Sequence, residues 1–424
     1  MSQPGVRRET CEAAIVGGGP AGLAAAASLR RAGADRVVVL DREVEPGGIP
    51  RHAKHQGFGI RDLRRAMSGP AYAARLAELA SSAGAEIRAE SQVTGWCDDG
   101  TLEITSPGGR YELAAKAVVL ATGCRERPRS ARLVAGSRPQ GVMTTGTLQQ
   151  LVYLHGERPG RRAVVVGAEH VSFSALLTLS HGGARAVAMV TELPRHQTLA
   201  AFRLGAAIRY RVPFHTRTAI SGIRGRTRVE AIELSDLDTG ETRELECDLV
   251  VFTADWIPDH ELAVLAGVEL DPLTRGPAVD AGLRTSRPGT FAAGNVNHGA
   301  ETADIASLSG SHVASAVIRH LDGEPWPESR VPIRCEPPLG WIAPNLLAAA
   351  GTAPPSGRFL VRASQVVRRP QVEVAQDGRR LWSGRLRRLG PGRSTRLPAN
   401  WTGRVETSGG PVTVGLSASA GKLL

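Results

Sequence analysis

The chain has 424 residues, more than one hydrophobic core usually serves, so we expect two or three domains. Hydrophobic residues make up 42% of the chain, which excludes a wholly disordered protein. The formal net charge is +11. Because Lys occurs only at positions 54, 116 and 422, this charge indicates a general preference for Arg and not a nucleic-acid-binding surface.

Five cysteines lie far apart, at positions 11, 97, 124, 247 and 335. They form neither a CxxC pair nor a set of metal ligands, so we predict no metal site and a reducing, cytoplasmic location. Arg7 and Arg8 before the apolar run 13–29 imitate a signal peptide, but the GGGP inside the run fits a strand, a loop and a helix. No later segment approaches the length of a membrane span.

The first predicted element is a dinucleotide-binding βαβ unit at residues 13–43. An apolar strand leads into Gly17-x-Gly19-x-x-Gly22, a helix of small residues follows, and a second apolar strand ends at Asp41. Gly17 permits the tight turn, Gly19 leaves room for a pyrophosphate, and Gly22 lets the helix pack closely on the strand. The helix N-terminus offers N–H groups to phosphates, and Asp41 can accept hydrogen bonds from ribose hydroxyls.

The order of elements then repeats, which predicts two nested nucleotide-binding units. The rest of the first unit comprises a helix at 69–83, short strands with turns at Asp99-Gly100 and Gly108-Gly109, and a buried strand at 117–123. The second unit comprises a strand at 163–167, a helix at 171–181, a strand at 186–190, a meander turning at Thr239-Gly240, and the strand LVVFTAD. A third piece, 290–321, has the pattern of a strand, a glycine turn and a long helix.

The glycine loop of the second unit, in AVVVGAEHVSFSAL, is altered. Gly167 keeps the first glycine, whereas Glu169 replaces the second and Ser172 the third. Two like charges within ~4 Å at an effective dielectric near 20 repel by about 4 kcal/mol, roughly three orders of magnitude in affinity. We therefore predict weak or absent NAD(P) binding and a role as scaffold or partner surface. The alternative is that Glu169 caps the helix and the phosphates bind slightly elsewhere.

The C-terminal part has a different pattern. Residues 323–357 are rich in Pro, Gly and Ala and predict a linker. Over 358–424, short strands and a hairpin turning at Asp377-Gly378 predict a small all-β domain. Residues 358–404 contain twelve Arg but only two acidic residues, Glu373 and Asp377. They suit a solvated face, a docking surface for an acidic partner subunit, or a polyanion site.

Three motifs carry a family resemblance. GGGPAG at 17–22, ATG at 121–123 and AAGN at 292–295 resemble the flavin-binding motifs of the two-dinucleotide-binding-domain flavoproteins, which include glutathione and thioredoxin reductases. EPGGIPRHAKHQGFG, ATGCRERPR and GVMTTGTLQQL are most similar to the FAD subunits of opine and sarcosine oxidases and hydrogen cyanide synthase, and to flavoproteins beside glycerol-3-phosphate dehydrogenases. The resemblance implies an α/β fold of two nested Rossmann-like domains of the glutathione-reductase type, here with a small all-β C-terminal appendage.

The resemblance also implies domain bounds and an FAD site. The FAD-binding domain would comprise two segments, 8–155 and 271–322, with an NAD(P)-type domain inserted between them at 156–270. The linker at 323–357 and the basic β domain at 358–424 would follow. The residues implied to contact FAD are Gly17, Gly19, Pro20, Ala21, Gly22, Asp41, Arg42, Gly47, Gly48, Val93, Ala121, Thr122, Gly123, Gly294, Asn295 and Thr302.

Two departures from the family pattern limit what it implies. The third motif usually ends in Gly-Asp, where the acid holds the ribityl chain, but this chain has Gly294-Asn295. Asn keeps an acceptor and adds a donor, so we expect FAD binding to survive. No cysteine pair follows Gly47-Gly48, where the disulfide reductases carry theirs, so thiol–disulfide chemistry is not predicted.

Catalytic candidates follow the glycine pair. His52 and His55, with Phe58, would lie at the flavin edge, where a histidine could take a proton from an amine or hydroxyl as hydride leaves. The alternative is that both histidines hydrogen-bond loop backbone or phosphate. Arg125 and Arg127 are candidates to bind a substrate carboxylate. The resemblance further implies that the helix near Thr302 directs its N-terminus at flavin O2.

The sequence thus predicts an FAD-dependent oxidoreductase that takes a hydride from a small amine, amino-acid derivative or hydroxy compound. Electrons would pass to oxygen, a quinone or a partner redox protein. One alternative is an NAD(P)H-dependent reductase. Another is a non-catalytic FAD-binding subunit of a multisubunit dehydrogenase. We expect a small-molecule substrate and a partner redox subunit or homo-oligomer, without nucleic acid or a membrane span.

Overall fold

The computed structural model describes residues 6–198, 204–205, 208–348 and 353–417. The chain divides into two compact units. With the undescribed positions left aside, the first comprises Met1–Arg51, Gln56–Cys124 and Pro258–Leu424, and the second comprises His52–His55 and Arg125–Ile257. The second unit is thus inserted in the first, and the predicted α/β fold class is confirmed.

The secondary structure has the following bounds. Up to residue 126 the strands are β1 (Arg7–Val16), β2 (Val37–Leu40), β3 (Gln56–Phe58), β4 (Met67–Ser68), β5 (Glu86–Arg88), β6 (Gln92–Trp96), β7 (Leu102–Ser106), β8 (Gly109–Leu120) and β9 (Cys124–Glu126). Next come β10 (Ala135–Gly136), β11 (Val142–Thr144), β12 (Arg162–Val166), β13 (Arg185–Val190), β14 (Phe214–His215), β15 (Thr218–Arg224), β16 (Ala231–Asp236), β17 (Thr242–Glu246), β18 (Leu249–Phe252) and β19 (Trp256–Pro258).

The remaining strands are β20 (Thr290–Ala292), β21 (Arg330–Cys335), β22 (Leu339–Ala343), β23 (Leu346–Ala348), β24 (Arg358–Ala363), β25 (Val367–Arg368), β26 (Gln371–Gln376), β27 (Arg379–Arg385), β28 (Arg388–Leu389), β29 (Thr395–Pro398) and β30 (Val412–Leu416). The helices with described bounds are α1 (Pro20–Arg31), α2 (Gly69–Ser82), α3 (Arg129–Arg132), α4 (Thr145–Tyr153), α5 (His170–His181), α6 (Glu261–Leu265) and α7 (Ala303–Leu321).

The main sheet of the first unit has the order β5-β2-β1-β8-β7-β6, with β20 also on β8. Parallel pairing sets Ile15 opposite Val39 on one side and Val119 on the other, and all three side chains are fully buried. Helices α1 and α7 pack against each other, and a Cβ on Gly310 would overlap the carbonyl oxygen of Ala21. Small residues therefore let α7 approach the helix that follows the first glycine loop.

The second unit has its own parallel sheet, in the order β11-β18-β12-β13-β14, and a second sheet β10-β15-β16-β17. The antiparallel β16 and β17 flank the predicted turn at Thr239-Gly240, which is confirmed. β11 pairs with β18 and is followed directly by α4. The main segment of this unit therefore starts at Arg125, whereas we predicted a start at 156, because these elements complete its sheet.

The C-terminal β domain belongs to the first unit and has a separate apolar core. Its sheets have the orders β23-β21-β30-β26-β27, β22-β24-β29 and β25-β28. Trp401, fully buried, stacks on Phe359 with ring centroids 5.0 Å apart. The predicted hairpin turn is confirmed, because β26 and β27 pair on either side of Asp377 and Gly378, both with positive φ.

The predicted linker at 323–357 holds three of these strands. β21 pairs with β30, and β22 pairs with β24. Val331 and Ile333 alternate with exposed neighbours along β21, which is the period-two pattern of a half-buried strand. The proline and glycine content of this segment obscured that alternation in the sequence.

Candidate functional site

The first glycine loop is shaped to receive a phosphate. Gly19 is the N-cap of α1 and provides no side-chain cap, and the first turn of the helix carries no acidic residue. A Cβ on Gly48 would lie 3.0 Å from the Cα of Gly19, whereas one on Gly19 would meet only the Cα of Gly48, at 4.0 Å. Two bare backbone segments thus form a cradle beside a helix N-terminus, the arrangement that binds a pyrophosphate.

Asp41 is held at the rim of this cradle. It follows β2 and is 6% exposed. Its Oδ2 accepts from the Gly18 N–H at 2.8 Å, and its Oδ1 accepts from the Glu43 N–H at 2.9 Å. Burial raises the pKa of this carboxyl, while the two N–H donors oppose the rise. Each oxygen keeps a further lone pair, so the group fits the role of a ribose acceptor.

The other residues predicted to contact FAD converge on the same loops. A Cβ on Gly17 would overlap the carbonyl oxygen of Ala121, and one on Gly294 would lie 2.6 Å from the Cβ of Ala21. Pro20 is the first residue of α1, and Gly22 packs against the backbone of Gly17. The Gly47 N–H donates to the Gly18 carbonyl. The Thr122 hydroxyl donates to the Asp259 carbonyl, and the Asp259 N–H donates to the Gly123 carbonyl.

Val93 and Arg42 lie at the edge of this arrangement. The Ser91 N–H donates to the Asp41 carbonyl at 2.7 Å, so the segment that leads to the buried Val93 runs beside Asp41. Arg42 is exposed and lies 3.8 Å from the carboxylate of Glu43. The roles of both residues toward a cofactor stay predictions.

Sequence reasoning missed an ion pair at the start of α7. Thr302 is the N-cap, and Asp304 in the first turn is 3% exposed. The Arg61 guanidinium reaches both Asp304 carboxylate oxygens, at 3.0 and 3.1 Å, and the Thr302 hydroxyl at 3.0 Å. The first-turn acid is a sequence signal for a helix start. Its partner lies 243 residues away, and no local pattern indicates it.

Asn295 closes a loop in front of α7. Its Nδ2 donates to the Glu301 carbonyl at 3.1 Å, and its Oδ1 accepts from the Glu301 N–H at 3.0 Å. An aspartate could accept but not donate, so it could not make both bonds. The departure from the family's Gly-Asp thus has a structural use in this chain.

Replacing Asn295 with Asp is expected to lower the free energy of unfolding by about 1–2 kcal/mol, because a donor is lost opposite the Glu301 carbonyl. Urea denaturation would measure the change, with the exposed Asn400→Asp as a matched control. Unchanged stability together with tighter FAD retention in Asn295→Asp would show that residue 295 contacts the cofactor instead of closing the loop.

The second glycine loop is filled by its own side chain. Glu169 is the N-cap of α5, and its carboxylate accepts from the N–H of Ala168 at 2.8 Å, from the N–H of Ser172, and from the Ser172 hydroxyl at 2.7 Å. The Ser172 hydroxyl also lies 2.7 Å from that of Thr253 on the strand side. This is the capping alternative. The carboxylate folds back and takes the N–H groups that a phosphate would need.

A buried acid lies in the same unit. Glu126 is 8% exposed. Its Oε2 accepts from the Gly146 N–H at 2.7 Å, and its Oε1 has no hydrogen-bond partner among the described residues. Burial raises the pKa of this carboxyl to about 7, and the charge of Glu169 adds to the rise. Sequence reasoning did not single it out.

This shift predicts a pH-dependent stability. The native state keeps the Glu126 proton up to about pH 7, whereas the unfolded state releases it near 4.5, so stability is lost as pH rises through that window. As pH rises through this window, the free energy of unfolding of Glu126→Gln is expected to increase by about 1–3 kcal/mol relative to that of the wild type. Urea titrations on both sides of the window would measure this. The same substitution at the exposed Glu241 is the control, and an equal gain there would contradict the assignment.

The catalytic candidates are placed as follows. His52 ends a short 3₁₀ helix and is 3% exposed, and the His55 N–H donates to the Ala53 carbonyl at 2.8 Å. Both belong to the second unit, and their catalytic role stays a prediction. Arg127 already forms an ion pair with Asp255 at 2.8 Å, which weakens its case as a carboxylate anchor, and Arg125 is exposed.

Among the residues that the structure describes, no group of three or more His, Cys, Asp or Glu side chains is placed to hold a metal ion. Every helix in these same residues is too short or too polar to span a bilayer.

Comparisons with known proteins match this architecture. The model of the family "Pyridine nucleotide-disulphide oxidoreductase" matches residues 12–310. The chain is 30% identical over 315 residues to a thioredoxin reductase of Treponema pallidum, covering 73% of this chain and 96% of the relative. It is 26% identical to sarcosine oxidase subunit alpha of Rhizobium meliloti, covering 79% of this chain but only 34% of that subunit.

A solved structure gives the same picture of the fold. The thioredoxin reductase of T. acidophilum superposes with a TM-score of 0.61 at 25% identity, covering 73% of this chain and 98% of the other.

Proposed function

Because the chain belongs to the pyridine nucleotide-disulphide oxidoreductase family, whose members bind FAD, we propose that it oxidises a small amine, amino-acid derivative or hydroxy compound. The family and the first glycine loop make it a flavin-dependent oxidoreductase. The substrate class is our proposal and rests on the resemblance to the oxidase subunits. One such relative is the sarcosine oxidase subunit.

One contrast carries the proposal. The loop at Gly19 offers uncapped helix N–H groups, and Asp41 stands beside it. The equivalent loop at Glu169 is capped by its own carboxylate. A protein reduced by NAD(P)H needs both loops open, whereas one reduced by its substrate needs only the first. We infer that the electrons come from a small substrate.

The residues of this chain would divide the work as follows. Gly19, Gly48 and the first turn of α1 would hold the pyrophosphate, and Asp41 the adenosine ribose. Bound FAD supplies a hydride acceptor. His52 or His55 would take the proton that the substrate amine or hydroxyl releases, since histidine is the side chain that most often serves as a general base.

The cysteines argue against a disulfide reductase, although thioredoxin reductases are among the relatives. No two of the five cysteines form a CxxC pair. Burial raises the pKa of Cys11 and Cys335 to about 12 and that of Cys247 to about 11, so these thiols stay protonated at neutral pH. These three cysteines therefore supply neither a nucleophilic thiolate nor the second thiol that a disulfide reductase needs.

The test is anaerobic addition of candidate reductants to the purified flavoprotein. Amino acids, N-alkyl amino acids and hydroxy acids are added one at a time, and the visible flavin absorbance is followed. We expect bleaching by at least one member of these classes. A flavin that none of them bleaches would remove the proposed substrate class and favour an electron-transferring or structural subunit.

An NAD(P)H-dependent reductase is the second candidate, and the thioredoxin reductase relatives favour it. It requires the carboxylate of Glu169 to leave the N-terminus of α5 before a dinucleotide binds. A multisubunit assembly is compatible with either candidate, since the sarcosine oxidase relative is a subunit and this chain spans only a third of its length.

A further inference from the structure

The excess positive charge of the chain is concentrated in the C-terminal β domain. Residues 330–417, which span β21 to β30, contain fourteen Arg, no Lys and four acidic residues. Their formal net charge is therefore +10, out of +11 for the whole chain. Residues 1–329 carry 37 basic and 37 acidic side chains and are neutral. A general preference for Arg would spread the excess along the chain, so this distribution has a local cause.

Five of these arginines lie in one short antiparallel ribbon. Residues 367–371, which lead from β25 into β26, run beside residues 385–389, which lead from β27 into β28. Arg368 pairs with Arg388, and the Arg369 N–H donates to the Arg387 carbonyl at 3.1 Å. We call these ten residues the arginine ribbon. Its exposed members are Arg368, Arg369, Arg385, Arg387 and Arg388.

One side of the arginine ribbon is packed on the core of the β domain. Val367 and Leu389 are fully buried, and Leu386 packs against the same core. Arg369 has a φ of 50°, which interrupts the regular alternation of sides along the strand, so that both Arg368 and Arg369 are exposed. The core therefore fixes the backbone from which the guanidinium groups extend into solvent.

The positive charges of the arginine ribbon are not neutralised within the part of the chain that the structure describes. The ten residues include no Asp or Glu, and their five arginines form no ion pair with the described acidic residues. The nearby Arg379 and Arg380, by contrast, pair with Glu406 at 2.8 Å and with Glu373 at 3.6 Å. Like charges directly opposite each other in a sheet are destabilising, and five residues of a strand span only about 14 Å. The stability of the fold therefore does not explain this cluster.

We propose that the arginine ribbon is a docking surface for an acidic protein segment, one that presents a row of Asp or Glu side chains. A guanidinium binds a carboxylate through two parallel N–H donors, so five of them on a fixed backbone match such a row in charge and in hydrogen bonding. Attraction between the two surfaces would also speed their encounter. This surface goes beyond the proposed oxidation, because it binds such a segment whatever compound the flavin oxidises.

Other polyanions fit the arginine ribbon less well. A free β-ribbon can enter a major groove, but this one has a side packed on the core. It also contains no aromatic residue on which single-stranded bases could stack. Apolar side chains that could enter a lipid surface are missing beside it, because every exposed large hydrophobic residue in the described ranges precedes residue 274. A second copy of the same ribbon would place arginines against arginines.

The partner chemistry is tested with the full-length flavoprotein and fluorescein-labelled octaglutamate, followed by fluorescence anisotropy. We expect binding at about 50 mM NaCl that is about tenfold weaker at about 200 mM, since added salt screens exposed charges. Octathymidylate, a single strand of matched charge, should bind no more tightly than the peptide. No binding of octaglutamate up to about 1 mM, or binding of the DNA tighter by about tenfold or more, would overturn the proposal.

Variants test the location. The ribbon variant combines three substitutions, Arg368→Gln, Arg387→Gln and Arg388→Gln. It should bind octaglutamate about tenfold more weakly, and it should unfold at the same or a higher temperature, because opposed positive charges are removed. The control removes the same charge at three exposed arginines outside the β domain, Arg31, Arg158 and Arg195.

The control should bind octaglutamate as the wild type does. Unchanged affinity in the ribbon variant, or equal losses in both variants, would overturn the assignment, because binding would then depend on net charge or on another surface. Flavin content and flavin bleaching should be the same in the ribbon variant and in the wild type. A failure of docking is therefore distinguishable from a failure of the proposed oxidation.

Discussion

The Gly19→Glu variant is expected to purify as a colourless apoprotein, whereas the wild type is yellow and releases FAD rather than FMN. The substitution copies into the first loop the side chain that the second loop carries as Glu169. A carboxylate ~4 Å from a phosphate costs about 4 kcal/mol at an effective dielectric near 20, so affinity falls by roughly three orders of magnitude. The flavin absorbance per mole of protein and chromatography of the released cofactor measure the effect.

Misfolding is not expected to cause this loss. Gly19 has φ of −79°, which any residue adopts, and a Cβ there meets its nearest atom at 4.0 Å. Gly403→Glu is the matched control, since a Cβ on that exposed glycine meets nothing within 4 Å. It should retain full flavin. A Gly19→Glu protein that is fully loaded with FAD would show that this loop does not hold the pyrophosphate.

The Glu169→Gly variant is expected to bind NADH more tightly than the wild type, by up to roughly three orders of magnitude. The change removes a negative charge and frees the N–H groups of Ala168 and Ser172 that the carboxylate now occupies. Loss of the helix cap should lower stability by about 1 kcal/mol. Fluorescence titration with each dinucleotide measures the gain. NADH should be preferred, because the exposed Glu192 beyond β13 would repel the 2′-phosphate of NADPH.

Companion variants separate the causes. Glu169→Lys removes the negative charge and keeps a long side chain, so a gain there assigns the effect to charge. Adding Glu192→Gln to Glu169→Gly should reduce the preference for NADH. If Glu169→Gly binds neither dinucleotide better than the wild type does, the carboxylate is not what closes the loop.

Much of the fold follows from the sequence because its signals are local. The apolar strand, the glycines and the acid at Asp41 lie within one short stretch, and each has a fixed physical task. The turn at Asp377-Gly378 is equally local. The strands β21 to β23 were missed because prolines and glycines mark turns between short strands as readily as they mark a linker.

The site was less predictable, because its decisive contacts join distant parts of the chain. Arg61 reaches Asp304 across 243 positions, and Glu126 becomes unusual only when folding buries it. Glu169 shows a different limit. The sequence is compatible with two positions of this side chain, one projecting into the phosphate path and one capping the helix. The structure distinguishes them, because the carboxylate is hydrogen-bonded to Ser172.

The central claim is that the two glycine loops have diverged, the first holding the flavin and the second closed by Glu169. The most direct test is anaerobic mixing of the wild-type flavoprotein with micromolar NADPH and, separately, NADH, with flavin absorbance recorded over time. We expect no rapid phase with either, and only slow reduction even at millimolar concentration. Rapid, stoichiometric reduction by micromolar NADPH would contradict the claim and identify the protein as an NADPH-dependent reductase.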